Sequence, residues 1–222
     1  MKRGAIGLII LVVVLVLMLF VILLPFMIIG AFPNGEIAKA TGTGGPVVYS
    51  DDCNTPRLPR IVDENGFAEA INQYVAKGPT SSPLRSLGVD FVKGGVQFSV
   101  NPAYIAAIAK KESSYGTEGI ATRGTFNAFG RKAGENQPHV ELNGVKWYRY
   151  ESWQQSLYGQ PEFIKRRYLD RGLDTFEKII EVYAPRSENN TAKYIQDMHK
   201  YVGEIMALAG SAVRCSGGAI VQ

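Results

Sequence analysis

The chain opens with a long apolar segment that runs from Ala5 to Phe32 without a charged residue. As a helix this segment would be about 40 Å long, more than the roughly 30 Å of bilayer hydrocarbon. The apolar region of a secretory signal has only about 7–15 residues. The pattern therefore predicts a transmembrane anchor over residues 5–32. The small residues on either side of Lys39 leave a cleaved signal open as the alternative.

The charges that flank this segment predict its orientation. Lys2 and Arg3 are the only charged residues before it, and basic residues favour the cytoplasmic side of a membrane. We therefore expect residues 1–4 in the cytoplasm and the rest of the chain outside it. Residues 33–60 are rich in Gly, Thr, Pro and Asp and lack hydrophobic periodicity, which is typical of an extracytoplasmic linker.

Apolar residues then recur at helical spacing, which predicts one folded domain over residues 61–210 and a short tail over 211–222. The predicted helices are 66–77, one from Ser82 that Gly94–Gly95 breaks, one that Asn101 caps, one from Ser152 that Pro161 kinks or restarts, 174–183, and Thr191 to Gly210.

A β-hairpin interrupts the helical pattern. Asn143-Gly144 lies between the β-prone runs 139–142 and 145–148, and Asn-Gly is the strongest short signal for a two-residue hairpin turn. Such a turn pairs Leu142 with Val145, Glu141 with Lys146 and Val140 with Trp147. The predicted fold class is therefore α+β, mostly α, with a small β-hairpin lobe.

The helix that Asn101 caps carries the most informative acidic residue of the chain. Ile105, Ile108 and Glu112 have the spacing i, i+3, i+7 and so share one face of this helix, which we expect to end at Gly116. Burial against such an apolar stripe would raise the pKa of the carboxyl, as a general acid requires. The alternative is a last-turn glutamate that points into solvent.

Composition narrows the classes of function. The chain has 24 basic and 20 acidic residues, a balance too even to indicate a nucleic-acid partner. It has two cysteines and two histidines at no metal-ligand spacing, so we predict neither a metal site nor a cofactor. Cys53 and Cys215 lie near the two ends of the exported region. An oxidising compartment favours a disulfide between them over two free thiols.

Five short motifs follow one another in the predicted domain: Asn101–Ala103, Lys111–Thr117, Asn127–Gly130, Tyr150–Trp153 and Tyr183–Pro185. In this order they resemble the peptidoglycan β-N-acetylglucosaminidases of glycoside hydrolase family 73, and the resemblance covers about residues 66–209. It implies a lysozyme-like helical domain and an endo-acting glycoside hydrolase. The implied partner is the glycan strand of peptidoglycan, cut at the β-1,4 bond of N-acetylglucosamine.

The resemblance also implies roles for individual residues. Glu112 matches the catalytic acid of the family, and Tyr183 matches a tyrosine that the family places near the reacting sugar. Asn127, Phe129 and Gly130 match the segment that shapes the glycan cleft. We therefore expect Glu112 and Tyr183 to act in catalysis and the other three residues to bind substrate.

A second carboxylate commonly acts as base, nucleophile or stabiliser in glycoside hydrolysis. The resembled family is proposed to take it from a flexible β-lobe, which makes Glu141 our candidate. Its alternative role is an exposed cross-strand ion pair with Lys146. Glu118, Glu135 and Glu151 are further candidates, and an acetamido group of the substrate can also replace a second carboxylate.

Aromatic rings cover the apolar faces of sugars, so we expect four of them in the substrate site: Tyr115, Phe129, Trp147 and Tyr183. For Trp147 the alternative is packing against Val140 on the hairpin.

Two other functions fit the same motifs. A lytic transglycosylase or muramidase of the same superfamily would use Glu112 on the other glycosidic bond. A non-catalytic glycan-binding or envelope-assembly protein would keep the fold without the chemistry. The Asn127–Gly130 segment and the acidic hairpin favour the glucosaminidase.

Overall fold

The computed structural model of the protein describes residues 49–183 and 190–215. The predicted anchor over residues 5–32, and the linker as far as residue 48, lie outside these described residues. Within the described ranges, no helix is both long enough and apolar enough to cross a membrane.

The described residues form a mostly helical α+β domain with two small antiparallel sheets, which confirms the predicted class. The helices are α1 (Glu64–Ala76), α2 (Gly88–Phe98), α3 (Pro102–Ser113), α4 (Trp153–Arg167), α5 (Phe176–Tyr183) and α6 (Thr191–Ala209). The strands are β1 (Arg60–Ile61), β2 (His139–Leu142), β3 (Val145–Tyr148) and β4 (Val213–Arg214). Short 3₁₀ turns lie at Gly119–Arg123, Leu169–Arg171 and Gly210–Ala212.

Helix α3 is the centre of the core. As predicted, Asn101 caps it, accepting a hydrogen bond from the Ala103 amide, and Pro102 takes the first position. Every residue from 102 to 109 is buried, and α1, α2 and α6 all pack against this helix. Only its last turn leaves the core, so the position of Glu112 is set by the packing of the whole helix.

The predicted break at Gly94–Gly95 is wrong, because both glycines lie inside α2. A Cβ on Gly94 would be 2.2 Å from the Leu157 carbonyl oxygen, and one on Gly95 would be 2.6 Å from that of Val100. These glycines let α2 approach α4 and the chain before α3 closely. Close helix packing offsets their low helix propensity here.

Pro161 lies inside α4, so the helix does not restart there, which was one of the two predicted outcomes. The predicted cap at its start is confirmed, because the Ser152 hydroxyl accepts from the Gln155 amide at 3.0 Å.

The β2–β3 hairpin has the predicted register, with Leu142 opposite Val145, Glu141 opposite Lys146 and Val140 opposite Trp147. The chain before it runs alongside β3, since the Tyr148 amide donates to the Arg131 carbonyl and the Ala133 amide to the Lys146 carbonyl. These bonds tie the hairpin to the segment that follows α3.

The predicted disulfide between Cys53 and Cys215 is confirmed, and their Cα atoms are 5.5 Å apart. Beside it, β1 pairs with β4, so that Arg60 lies opposite Arg214 and Ile61 opposite Val213. Residues 49–60 and 211–215 therefore pack onto the helical core, although the sequence pattern assigns them to the linker and the tail.

Candidate active site

A cleft of about 680 Å³ opens beside the last turn of α3, between the helices and the hairpin. Ligand pockets commonly have about this volume. Its wall combines Glu112 with apolar and aromatic side chains from the hairpin, α4, α5 and α6. Those that matter for the following argument are Leu142, Trp147, Phe163, Tyr168, Val182, Tyr183 and Tyr194.

The end of α3 aims Glu112 into this cleft. The helix stops at Ser113, because Ser114 and Tyr115 take left-handed backbone angles, with φ of 46° and 59°. The helix therefore ends three residues before Gly116, where the sequence pattern predicted its end. The Ser113 hydroxyl donates to the Ala128 carbonyl at 2.8 Å and accepts from the Gly116 amide, which fixes the helix end against the following segment.

Glu112 is partly buried, and loss of hydration raises the pKa of its carboxyl. Two neighbours oppose this effect. The Tyr194 hydroxyl donates a hydrogen bond to Glu112 Oε1, and the positive charge of Lys111 lies nearby. The desolvation is the larger effect, so the pKa of the carboxyl stays above its ordinary value. Such a group can hold a proton for donation nearer neutral pH.

Gly130 makes room for the other oxygen of this carboxyl. Its φ is +61°, and a Cβ built on it would lie 2.9 Å from Glu112 Oε2 and 3.8 Å from the Tyr183 hydroxyl. A glycine is therefore required both by the backbone conformation and by the close approach of Glu112. The Tyr183 hydroxyl donates to the Phe129 carbonyl at 2.8 Å and lines the cleft beside Glu112.

Asn127 lies behind the cleft wall and holds the backbone of the Asn127–Gly130 segment in place. The residue is fully buried, and its Nδ2 donates to the carbonyls of Arg131 and Tyr148 at 2.9 Å each. Its Oδ1 accepts from the amides of Phe129 and Arg131. Phe129 is buried too, so the structure uses both residues to shape the turn that presents Gly130. Neither side chain is part of the cleft wall.

The aromatic predictions divide between cleft and core. Trp147 and Tyr183 line the cleft. Tyr115 does not, because its left-handed backbone turns the ring into the core, where its exposed fraction is 1% and it packs beside Gly78. A buried ring of this kind cannot stack on a sugar.

The structure does not bring Glu141 to the cleft. Side chains alternate across a strand, so Leu142 and Trp147 share the hairpin face that lines the cleft, whereas Glu141 and Lys146 lie on the opposite, exposed face. Glu118, Glu135 and Glu151 are exposed as well and lie outside the cleft wall. Among the described residues, Glu112 is the only carboxylate in that wall.

Tyr194 and Ser113 are site residues that the sequence pattern did not single out. Tyr194 has the periodicity of a core residue on α6 and lies 82 positions from its partner Glu112. Burial raises its pKa far above the ordinary value, so the phenol stays protonated and acts as a donor. Ser113 was visible within the Lys111–Thr117 motif, but its bond to Ala128 depends on the tertiary fold.

Comparison with known proteins gives a family match and a similar solved structure. Residues 89–211 match the family described as Glucosaminidase: Mannosyl-glycoprotein endo-beta-N-acetylglucosaminidase. Among solved structures, the chain is similar to S. aureus autolysin E in complex with the muropeptide NAM-L-Ala-D-iGlu. That similarity has 13% identity and a TM-score of 0.48, and it covers 72% of this chain and 74% of the other. No curated protein matches the chain.

Replacing Gly130 by Ala tests the space beside Glu112. The added methyl would meet Glu112 Oε2 at 2.9 Å and displace the carboxyl, and displacements of about 1 Å in an active site can cost about a hundredfold in rate. We expect a loss of wall-lytic activity of at least about tenfold with an unchanged circular dichroism spectrum. Gly124→Ala is the matched control, because φ there is +70° but no atom of the described residues lies within 4 Å of the added methyl. Equal activity losses in both variants would assign the effect to backbone strain alone.

Replacing Tyr194 by Phe tests the balance that sets the pKa of Glu112. The hydroxyl stabilises the ionised carboxyl, so its removal raises this pKa further. The acid then stays protonated to higher pH, and the alkaline limb of the pH–rate profile moves upward. Tyr201→Phe, outside the cleft wall, should leave the limb in place. A downward shift in Tyr194→Phe would contradict the assignment, and NMR titration of the carboxyl would check it independently of activity.

Proposed function

This chain belongs to the glucosaminidase family of endo-β-N-acetylglucosaminidases, whose model matches residues 89–211, and we propose that Glu112 is its general acid on cell-wall glycan. The bond cut is the β-1,4 linkage that follows N-acetylglucosamine. The observation that carries this proposal is the partly buried carboxyl of Glu112, the only one among the described residues of the cleft wall, with its pKa raised by burial.

The arrangement supplies the parts that glycoside hydrolysis requires. Protonated Glu112 would donate its proton to the leaving oxygen as the bond to the sugar weakens. Its Oε1 is held by Tyr194, which leaves Oε2, beside Gly130, to carry the proton. Trp147 and Tyr183 offer aromatic surface against which the sugar rings can pack.

Few groups are available to stabilise the positive charge that develops on the sugar when the bond breaks. Because Glu112 is the only carboxylate in the described cleft wall, the geometry favours the acetamido group of the substrate as the stabiliser of the positive centre. In that route the acetamido oxygen bonds to the anomeric carbon while the leaving group departs with the proton of Glu112. Water then opens the ring that has formed, and Glu112 takes back a proton. Glu141 would serve instead only if the hairpin turned its exposed face inward.

We also propose that the protein acts from a membrane anchor, with its catalytic domain outside the cytoplasm. Three observations support this topology: the uninterrupted apolar segment over 5–32, Lys2 and Arg3 in front of it, and the disulfide between Cys53 and Cys215. Disulfides persist in oxidising, extracytoplasmic compartments. A tether of this kind would restrict cutting to glycan close to the membrane.

Products released from purified peptidoglycan test the reaction. We expect new reducing ends on N-acetylglucosamine, detected by mass spectrometry after borohydride reduction. Reducing ends on muramic acid would indicate a muramidase, and 1,6-anhydromuramic ends would indicate a transglycosylase. Either outcome would contradict the proposed bond specificity while leaving Glu112 as the acid.

Replacing Glu112 by Gln separates catalysis from binding in the same assay. The variant should bind wall material but release no products, and unchanged lysis would exclude the acid role. Glu118→Gln is the control, since this glutamate is exposed and outside the cleft wall. Full activity of Glu141→Gln would support the acetamido route, whereas a loss comparable to that of Glu112→Gln would assign Glu141 as the second carboxylate.

Protease accessibility tests the topology. In cells freed of their wall, added protease should degrade the domain but leave residues 1–4 protected, and an alkaline wash should leave the protein in the membrane fraction. Removal of residues 1–32 should release it. Protection of the domain in intact wall-free cells would contradict the proposed orientation.

A further inference from the structure

A second cavity, of about 400 Å³, joins the cleft at one end. The two cavities share Arg131, Phe163 and Arg167 in their walls. We call this second cavity the side groove; Gln137, Glu162 and Arg166 also line it. Together the cleft and the side groove form a branched depression whose junction lies at the three shared residues.

The walls of this branched depression are strongly basic. Arg123, Arg131, Lys132 and Arg167 line the cleft, and Arg166 adds a further positive charge in the side groove. Two carboxyls oppose them. One is Glu112, whose raised pKa favours the neutral form, and the other is Glu162, which pairs with Arg166 at 3.0 Å.

The remaining four cations have no carboxylate partner within ion-pair distance among the described residues. The chain as a whole carries a formal charge of only +4, so this concentration of positive charge is local. This local positive charge favours the binding of an anionic ligand.

Arg131 is held rigidly at the junction. Its guanidinium lies between two rings, 4.1 Å from the centre of Tyr148 and 4.6 Å from that of Phe163. Its Nη1 donates to the Tyr150 hydroxyl at 3.3 Å and to the Gly159 carbonyl at 3.5 Å. Its Nε has no hydrogen-bond partner in the part of the chain that the structure describes. The stacked cation therefore joins the hairpin to α4 and fixes the charge at the branch point.

We propose that the side groove binds the peptide stem of the substrate, while the glycan strand lies in the cleft. This inference rests on the proposed function. The muramic acids of peptidoglycan carry peptide stems on their lactyl groups, so the substrate is itself branched, and an unamidated stem has free carboxylates. Arginines bind carboxylates through paired N–H donors, and Arg166 and Arg167 stand exposed in the groove to do so.

The consequence is a preference for glycan that still carries its stems. One exposed ion pair contributes about a fivefold factor. We therefore expect kcat/KM for soluble stem-bearing glycan to exceed that for the same glycan stripped by an amidase by about fivefold at low salt. The ratio should fall toward one as salt screens the charges, and also when the stem carboxylates are amidated.

Arg167→Gln tests the groove. Because Arg167 also borders the cleft, the measurement is the ratio of kcat/KM for stem-bearing glycan to that for stripped glycan, which should fall toward one in this variant and in Arg166→Gln/Arg167→Gln. Arg171→Gln removes an equally exposed arginine that lines neither cavity, so it should keep the wild-type ratio. A purely structural role of Arg167 would lower both rates by the same factor and keep the wild-type ratio, and that result would overturn the inference, as would a wild-type ratio of one.

Phosphate groups of wall polymers share the oxyanion chemistry of carboxylates. All glycans in these assays are therefore freed of phosphate polymers first. If the preference disappears on this treatment and returns when the polymers are kept, the groove binds phosphate and the assignment to the stem is wrong. Failure of the proposed function has a different signature, since neither glycan would then yield new reducing ends.

Discussion

The desolvation of one carboxyl is the constraint around which this domain is arranged. Helix α3 is buried over residues 102–109 and emerges only at its last turn, so Glu112 lies between the dry core and the open cleft. A carboxyl in that position is poorly hydrated, and the pKa of Glu112 rises for this reason before any neighbour acts on it. A fully exposed glutamate could not hold its proton in this way, and a fully buried one could not reach a substrate.

Two neighbouring residues partly offset the effect of desolvation on the pKa of Glu112. Tyr194 donates to the carboxyl, and the charge of Lys111 is shared with Asp197, at 2.7 Å. The net effect still raises the pKa of Glu112, which has a consequence for folding. Its contribution to stability is fully present below the pKa of the unfolded chain and is lost as pH rises through the higher pKa of the folded state. Above that raised pKa, the ionised and poorly hydrated carboxyl lowers the stability of the folded state.

The same site shows why its backbone is as specific as its side chains. Ser114, Tyr115 and Gly130 all have positive φ, and between them they end α3 and bring the following turn against Glu112. Asn127 holds that turn through four hydrogen bonds to the backbone. Its partners are Phe129 and Arg131, before the hairpin, and Tyr148, at the end of β3. Asn127 and Phe129 therefore position the turn, and Gly130 leaves the space that the Glu112 carboxyl occupies.

Local sequence determined the elements that depend on short-range rules. The cap and first turn of α3, the register of the hairpin and the apolar stripe leading to Glu112 follow from Asn101, from Asn143-Gly144 and from helical spacing, because these features involve neighbours in the chain. The resemblance of the ordered motifs to one family added the proposal that Glu112 is the acid. The rest depended on contacts between distant segments, which spacing along the chain does not encode.

Only the tertiary structure showed that Gly94–Gly95 sit inside a helix, since their function is to admit the carbonyls of other segments. It also turned Tyr115 into the core, left Glu141 on the outer face of the hairpin, and brought Tyr194 from 82 residues away onto the carboxyl. Burial decides each of these outcomes, and burial is a property of how the elements pack together, which no single segment carries.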